Sequence, residues 1–123
     1  MFAVSFYDPD PDASPDSFQR IAEAYPRHRA YLDEFAKGGE VLMIGTFGEP
    51  MTQGSMAIFR SREAAERFRE GDPFVTEGLV YRSRILDWDP LVFPVAIRES
   101  LADAVDTPSA TATTSNSADQ GSV

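Results

Sequence analysis

Four short apolar runs, separated by two helical patterns, constrain this chain more than any other feature of its sequence. The runs are MFAVSFY at the start, EVLMIGTF from residue 40, SMAIFR from residue 55 and LVYRSRILDWD from residue 79. The first and last runs show the two-residue alternation that is typical of β-strands. In chain order the elements are β-α-β-β-α-β, which predicts a ferredoxin-like α+β fold.

Start and stop signals flank both helical patterns. Ser14 followed by Pro15 supplies an N-cap and a first-turn residue for the first helix, and Gly38-Gly39 ends it. Pro26 lies inside this pattern and predicts either a second helix start or a kink, because proline lacks the N–H that an interior helical hydrogen bond needs. Ser61 caps the second helix, REAAERFREG.

The strands are apolar on both faces, although two helices can cover only one face of a four-stranded antiparallel sheet. In the second strand, for example, Val41 and Met43 alternate with Leu42 and Ile44. Burial of apolar surface contributes about 25 cal/mol per Å², so a sheet face left in contact with water would lose many kcal/mol of stabilisation. We therefore predict a homodimer whose sheets pack face to face, a dimeric α+β barrel. The alternative cover for this face is the segment PLVFPVAI, residues 90–97.

The composition of the chain changes near its C-terminal end. Residues 98–123 include no aromatic residue and are rich in Ser, Thr, Ala and Asp. Such a segment cannot bury enough apolar surface to offset the entropy lost on ordering. We predict a disordered tail over residues 98–123 and one folded domain over residues 1–97.

Charge and composition argue against several classes of protein. The formal net charge is −9, and an acidic surface repels the phosphates of nucleic acid. The chain has no cysteine and one histidine, so neither a disulfide framework nor a structural zinc site is expected. The sequence shows neither a signal-peptide pattern nor an apolar run of about 20 residues that would span a membrane. We expect a cytoplasmic protein that binds neither nucleic acid nor a membrane and uses no metal or other cofactor.

The only histidine, His28, lies where the helical pattern places apolar residues. Counted from the start signal at Pro26, His28 shares one helix face with Tyr31, Leu32 and Phe35. A lone histidine on such a face is ordinarily a core residue whose two nitrogens find hydrogen-bond partners, and this interpretation stays open.

Asp72 is the candidate partner of His28, although an Asp-Pro pair is also an ordinary cap for a helical turn. Both helices of the predicted fold lie on one face of the sheet, so their ends can approach each other. A carboxylate there would hold one ring nitrogen, fix the tautomer and raise the basicity of the other nitrogen. Together the two residues predict a general acid/base pair at the wall of an accessible pocket.

Three motifs resemble the YciI-like (YCII-related) domain family, and the resemblance covers roughly residues 1–93. They are Pro-x-His-x-x-Tyr-Leu at 26–32, Gly-Ser at 54–55 and Gly-Asp-Pro-Phe at 71–74. The resemblance implies a ferredoxin-like dimeric α+β barrel with a His–Asp active site, which would be His28 and Asp72 in this chain.

The resemblance also bears on the pocket around this pair. It implies that Gly45 and Ser55 line the pocket, and we add Tyr7 and Phe74 as candidate substrate contacts. Thr46 follows Gly45 where the family commonly has proline, so the loop beside the pocket departs from the family pattern.

Three functions remain open at the level of sequence. The first is a small cofactor-free enzyme of lyase or isomerase type, in which His28 is the general acid/base and Asp72 orients it. Its substrate would be a small cyclic or enolisable molecule, since relatives in the same superfamily act on chlorinated or hydroxylated rings. The second is a non-catalytic module that binds a small ligand in the same pocket. The third is a purely structural dimer.

Overall fold

The structure, a computed structural model, describes residues 1–111 and contains the predicted β-α-β-β-α-β order together with three further helices. The strands are β1 (Phe2–Asp8), β2 (Val41–Thr46), β3 (Ser55–Phe59) and β4 (Arg82–Trp88). The two helices of the predicted unit are α1 (Pro15–Ala36) and α3 (Arg62–Gly71). The further helices are α2 (Pro50–Gln53), α4 (Pro73–Thr76) and α5 (Pro94–Thr111).

The four strands form one antiparallel sheet in the spatial order β2-β3-β1-β4. Consecutive strands β2 and β3 pair directly, while the connections through α1 and α3 cross over a neighbouring strand. Side chains of α1 and α3 pack on one face of this sheet. The buried core there consists of Ala3, Leu32, Ala57, Phe59, Ala64, Ala65 and Phe68. The predicted ferredoxin-like α+β fold is confirmed.

Helix α1 is a single element of 22 residues that runs through Pro26, so this proline does not begin a second helix. The helix begins as predicted, with Ser14 as N-cap and its hydroxyl accepting the N–H of Ser17. Its buried residues are Ala24, His28 and Leu32, which follow one another at intervals of four. His28 therefore lies on the core-facing side of the helix, as its spacing predicts.

The opposite face of the sheet is apolar and partly exposed. One residue from each strand forms a row across it, in the spatial order Met43, Ile58, Val4 and Leu86. Met43 is 54% exposed and Leu86 is 51% exposed. The strands thus have two apolar faces, of which α1 and α3 cover one.

The C-terminal region differs from our prediction. The compact unit that contains the sheet ends at Asp89, before the predicted boundary at residue 97. A second unit begins at Pro90 and contains helix α5, where we predicted a disordered tail from residue 98. The prediction considered burial only, whereas Ala, Leu, Arg and Glu in this segment favour a helix by local propensity. Residues 112–123 of the predicted tail lie outside the described residues.

Membrane-spanning segments are absent from the helices of residues 1–111. None of these helices is both long enough and apolar enough to cross a bilayer.

Gly54 allows the segment after α2 to approach β1 closely, and its substitution tests this contact. Its φ is 80°, and a Cβ atom at this position would overlap the backbone carbonyl oxygen of Tyr7. We expect Gly54→Ala to lower the free energy of unfolding by about 3 kcal/mol, measured by urea denaturation.

Gly39→Ala is the matched control for this substitution. Gly39 has a similar φ of 74°, but apart from Gly39 and its two chain neighbours no described atom lies within 4 Å of the point that its Cβ atom would occupy. Its replacement should cost about 1 kcal/mol from the left-handed backbone alone. Equal losses for the two variants would contradict the close approach at Gly54.

Candidate active site

His28 and Asp72 are in direct contact where α1 meets the junction of α3 and α4. The Nδ1 atom of His28 lies 2.7 Å from Oδ1 of Asp72, and 44 positions separate the two residues in sequence. Because a carboxylate oxygen accepts hydrogen bonds, we assign the proton to Nδ1 of the imidazole. The Nε2 atom then carries a lone pair and can accept a proton.

Asp72 also caps the short helix α4. Its backbone N–H donates to the carbonyl oxygen of Phe68 and completes the last turn of α3. Its Oδ1 accepts the backbone N–H of Phe74 at 3.1 Å, beside the proline that begins α4. Asp72 is therefore both the cap of α4 and the hydrogen-bond partner of His28.

Tyr7 of β1 provides a third hydrogen bond to the same carboxylate. Its hydroxyl donates to Oδ2 of Asp72 at 2.7 Å. Burial, followed by the negative charge of Asp72 and the hydrogen bond to it, raises the pKa of Tyr7 far above its usual value. The hydroxyl therefore stays protonated and remains a donor. We predicted Tyr7 as a substrate contact, whereas the structure bonds it to the carboxylate that holds His28.

Aromatic rings enclose the imidazole of His28. Phe74 stacks on it with the ring centroids 4.0 Å apart and the planes 6° from parallel. Tyr25 and Phe68 follow at centroid distances of 6.0 Å and 6.4 Å. Neither His28 nor Asp72 has any exposed surface. The pair does not occupy the accessible position that we expected, because α4 places Phe74 directly over the ring.

The second nitrogen of the imidazole finds no hydrogen-bond partner among the described residues. Nε2 of His28 is buried, and no donor or acceptor of the side chains of residues 1–104 pairs with it. Leaving such an atom unpaired costs about 1–3 kcal/mol, so a purely structural role accounts for Nδ1 but not for Nε2.

The remaining predicted site residues divide between two places. Ser55 and Tyr7 line a small hollow of about 10 Å³ beneath the helices, with room for a single water-sized sphere. Gly45 instead lines a shallow depression that also includes Met43 and Phe47. The structure thus brings together His28, Asp72, Phe74 and Tyr7, with Ser55 beside Tyr7, but not Gly45.

No metal site accompanies this arrangement in the part of the chain that the structure describes. Over the side chains of residues 1–104, no three histidine or acidic groups lie together so that they could hold a metal ion.

Tyr7→Phe tests the hydrogen bond from β1 to Asp72. The variant would leave Oδ2 of Asp72 buried without a donor, so we expect the free energy of unfolding to fall by about 1–3 kcal/mol. Denaturation followed by circular dichroism measures this change.

Tyr31→Phe is the control for this prediction. The Tyr31 hydroxyl donates to the carbonyl oxygen of Phe68, which also accepts the N–H of Asp72 and so keeps a partner in the variant. Tyr31→Phe should therefore cost less than Tyr7→Phe. An unchanged stability of Tyr7→Phe would rule out the hydrogen bond as a structural contribution.

Comparison with solved structures supports the fold. The chain is similar to 5-chloro-2-hydroxyhydroquinone dehydrochlorinase from Burkholderia phenoliruptrix AC1100, whose structure contains 2,5-dihydroxybenzoquinone. The identity is 23%, the match covers 72% of this chain and 94% of that chain, and the TM-score is 0.56. A hypothetical Arabidopsis thaliana protein matches at 13% identity over 75% of this chain and 88% of its own, with a TM-score of 0.39 that supports no argument. No curated protein matches this chain.

A family comparison agrees with the extent of the compact unit. The family model of the YCII-related domain matches residues 1–89, and the compact unit with the sheet is Met1–Asp89. The matched residues include all four strands and both members of the His28–Asp72 pair. This chain belongs to the YCII-related domain family.

Proposed function

We propose that this protein is a cofactor-free acid/base enzyme in which Nε2 of His28 takes a proton from a small organic substrate. One observation supports this most directly: Nδ1 bonds to Asp72 at 2.7 Å, while Nε2 has no partner among the side chains of residues 1–104. Asp72 would hold the Nδ1–H tautomer and stabilise the imidazolium that forms. In an isomerisation the same proton returns to a different atom of the substrate. In an elimination it leaves with the departing group.

The surroundings of the imidazole favour a small, neutral, cyclic or enolisable substrate. The rings of Phe74, Tyr25 and Phe68 would pack well against a flat apolar molecule. The carboxylate of Asp72 would disfavour an anion beside it. The fold neighbour from Burkholderia acts on a chlorinated hydroxyhydroquinone, which supports hydroxylated rings as the first compounds to test.

Access to Nε2 requires a movement, because His28 and Asp72 have no exposed surface. We propose that residues 73–78 move, since this segment carries the ring that stacks on the imidazole. Near the C-terminal end of this segment, the carboxylate of Glu77 accepts two hydrogen bonds from Arg27 at 2.6 Å and 2.9 Å. The ion pair is solvent-exposed, and such pairs contribute little to stability, so it can open readily.

Glu77→Gln tests this opening. Diethyl pyrocarbonate modifies an unprotonated imidazole, and the chain has one histidine, so the formation of carbethoxyhistidine reports on His28 alone. Weakening the contact with Arg27 should raise the modification rate about two- to fivefold. Glu34→Gln is the control, because it alters a similar exposed ion pair with Lys37 far along α1. Equal rates in both variants would show that residues 73–78 do not control access.

The acid/base reaction is tested by hydrogen exchange at carbon. Hydroxylated rings and enolisable ketones are incubated with the protein in D₂O, and deuterium incorporation is followed by mass spectrometry. We expect a substrate to exchange faster than in buffer, with His28→Gln abolishing the gain. Asp72→Asn should reduce it about 10²- to 10⁴-fold, because the ring loses its tautomer control. Exchange that persists in His28→Gln would contradict the assigned role.

A non-catalytic role is the second candidate, and the complete burial of His28 and Asp72 favours it. A binding module would show a ligand-dependent shift of the Nε2 resonance in the ¹⁵N spectrum without any exchange at carbon. A structural module would show neither response.

We also propose that the protein is a homodimer in which two sheets pack through their exposed apolar faces. The row of Met43, Ile58, Val4 and Leu86 supports this, because burial of such a face stabilises association. Sedimentation equilibrium should give twice the 13.6 kDa of the chain.

Leu86→Glu tests the proposed interface directly. A carboxylate between two packed sheets would be buried without a partner, so this variant should sediment as a monomer. Phe18→Glu is the control, because Phe18 is 57% exposed but lies on α1 and not on the sheet. A monomeric wild-type protein, or a Leu86→Glu dimer, would contradict this interface.

A further inference from the structure

Ser83 on β4 shares an unusual property with His28. Among the side chains of residues 1–104, two buried polar atoms have no hydrogen-bond partner, and they are Nε2 of His28 and Oγ of Ser83. Buried polar atoms are ordinarily paired, so each exception requires an explanation. An alanine or valine at position 83 would pack on a sheet face without this unfavourable burial.

Strand pairing places Ser83 directly beside Tyr7. The register of β1 and β4 pairs Tyr7 with Ser83, and that of β1 and β3 pairs Tyr7 with Ser55. The register of β2 and β3 pairs Ser55 with Thr46. Side chains at directly opposed positions of a sheet point to the same face. Four hydroxyl side chains, one from each strand, therefore form a row, which we call the hydroxyl row: Thr46, Ser55, Tyr7 and Ser83.

The hydroxyl row lies on the face that carries the His28–Asp72 pair, because its member Tyr7 donates to Asp72. The neighbouring row on this face is mainly apolar and consists of Ile44, Ala57, Ser5 and Ile85. In a ligand site that is otherwise apolar, a few polar side chains fix the orientation of the ligand. A row of hydroxyl groups beside an apolar row therefore indicates where the polar end of a ligand would lie. Within the hydroxyl row, Tyr7 already bonds to Asp72, whereas Oγ of Ser83 has no partner in the described part of the chain.

We propose that Ser83 is a substrate-binding residue whose hydroxyl bonds an oxygen atom of the molecule that Nε2 of His28 deprotonates. This inference rests on the proposed acid/base function and specifies its substrate class. Nε2 carries a lone pair and needs a group with an acidic hydrogen, whereas a serine hydroxyl can donate to or accept from an oxygen. The substrate is therefore a small neutral molecule with an ionisable hydrogen and a separate hydroxyl or carbonyl oxygen.

Matched ligands test this proposal in the full-length protein. Phenol carries one oxygen, whereas catechol, resorcinol and hydroquinone carry a second oxygen at three different positions. Binding is followed by NMR through the ¹⁵N resonance of Nε2 in the single histidine. We expect one dihydroxybenzene to bind more tightly than phenol. Ser83→Ala should weaken its binding about tenfold and leave that of phenol unchanged, because only one neutral hydrogen bond is lost.

The stability of Ser83→Ala provides a second readout. Because Oγ has no partner among the residues that the structure describes, its removal should leave the midpoint of thermal unfolding unchanged or slightly raised. A fall of more than about 4 °C would show that the hydroxyl has a structural partner and would overturn the proposal.

The outcomes separate this inference from the function on which it rests. If the probes shift the Nε2 resonance but Ser83→Ala affects phenol and the dihydroxybenzenes equally, the role of Ser83 is wrong and the function of His28 stands. If the probes leave that resonance unchanged in the wild-type protein, both proposals are overturned.

Discussion

The buried carboxylate of Asp72 is the interaction on which the rest of this arrangement depends. It accepts hydrogen bonds from the Tyr7 hydroxyl, the His28 imidazole and the backbone N–H of Phe74, which belong to β1, α1 and α4. A buried anion is tolerated only when its lone pairs are satisfied, so the carboxylate requires all three elements to be in place. The same atoms that join the sheet to the helices thus define the tautomer of the only histidine.

The sheet has different chemistry on its two faces, and this follows from the two-residue period of a strand. On β1, Val4 belongs to the apolar row on the partly exposed face, while Tyr7 belongs to the hydroxyl row on the helix-covered face. One face is therefore suited to association with a second copy of the chain, and the other face carries the side chain that bonds to the His28–Asp72 pair. A register shift of one residue in β1 would exchange these roles, so correct strand pairing is required for both.

The burial of one polar atom each of His28 and Ser83 has a thermodynamic consequence. Nε2 of His28 and Oγ of Ser83 are both removed from water without a partner in the part of the chain that the structure describes. The stacked ring of Phe74 compensates through packing but forms no hydrogen bond to the imidazole nitrogen. A bound molecule that forms hydrogen bonds to both atoms would remove the free-energy cost of leaving them unpaired. The unliganded protein bears this cost, so its removal favours binding.

Local sequence patterns alone determined much of this protein: the order of its elements, the core-facing position of His28 and the double role of Asp72 as cap and candidate partner. These follow from periodicity, capping chemistry and motif resemblance, which act over a few neighbouring residues. The same patterns did not predict α5, because low burial does not prevent a helix of favourable local propensity. Only the tertiary structure decided that Tyr7 bonds to Asp72 across 65 positions, that Phe74 stacks on the imidazole and that Ser83 Oγ has no partner among the described residues. Such contacts depend on strand register and helix packing, which bring together residues that no local pattern relates.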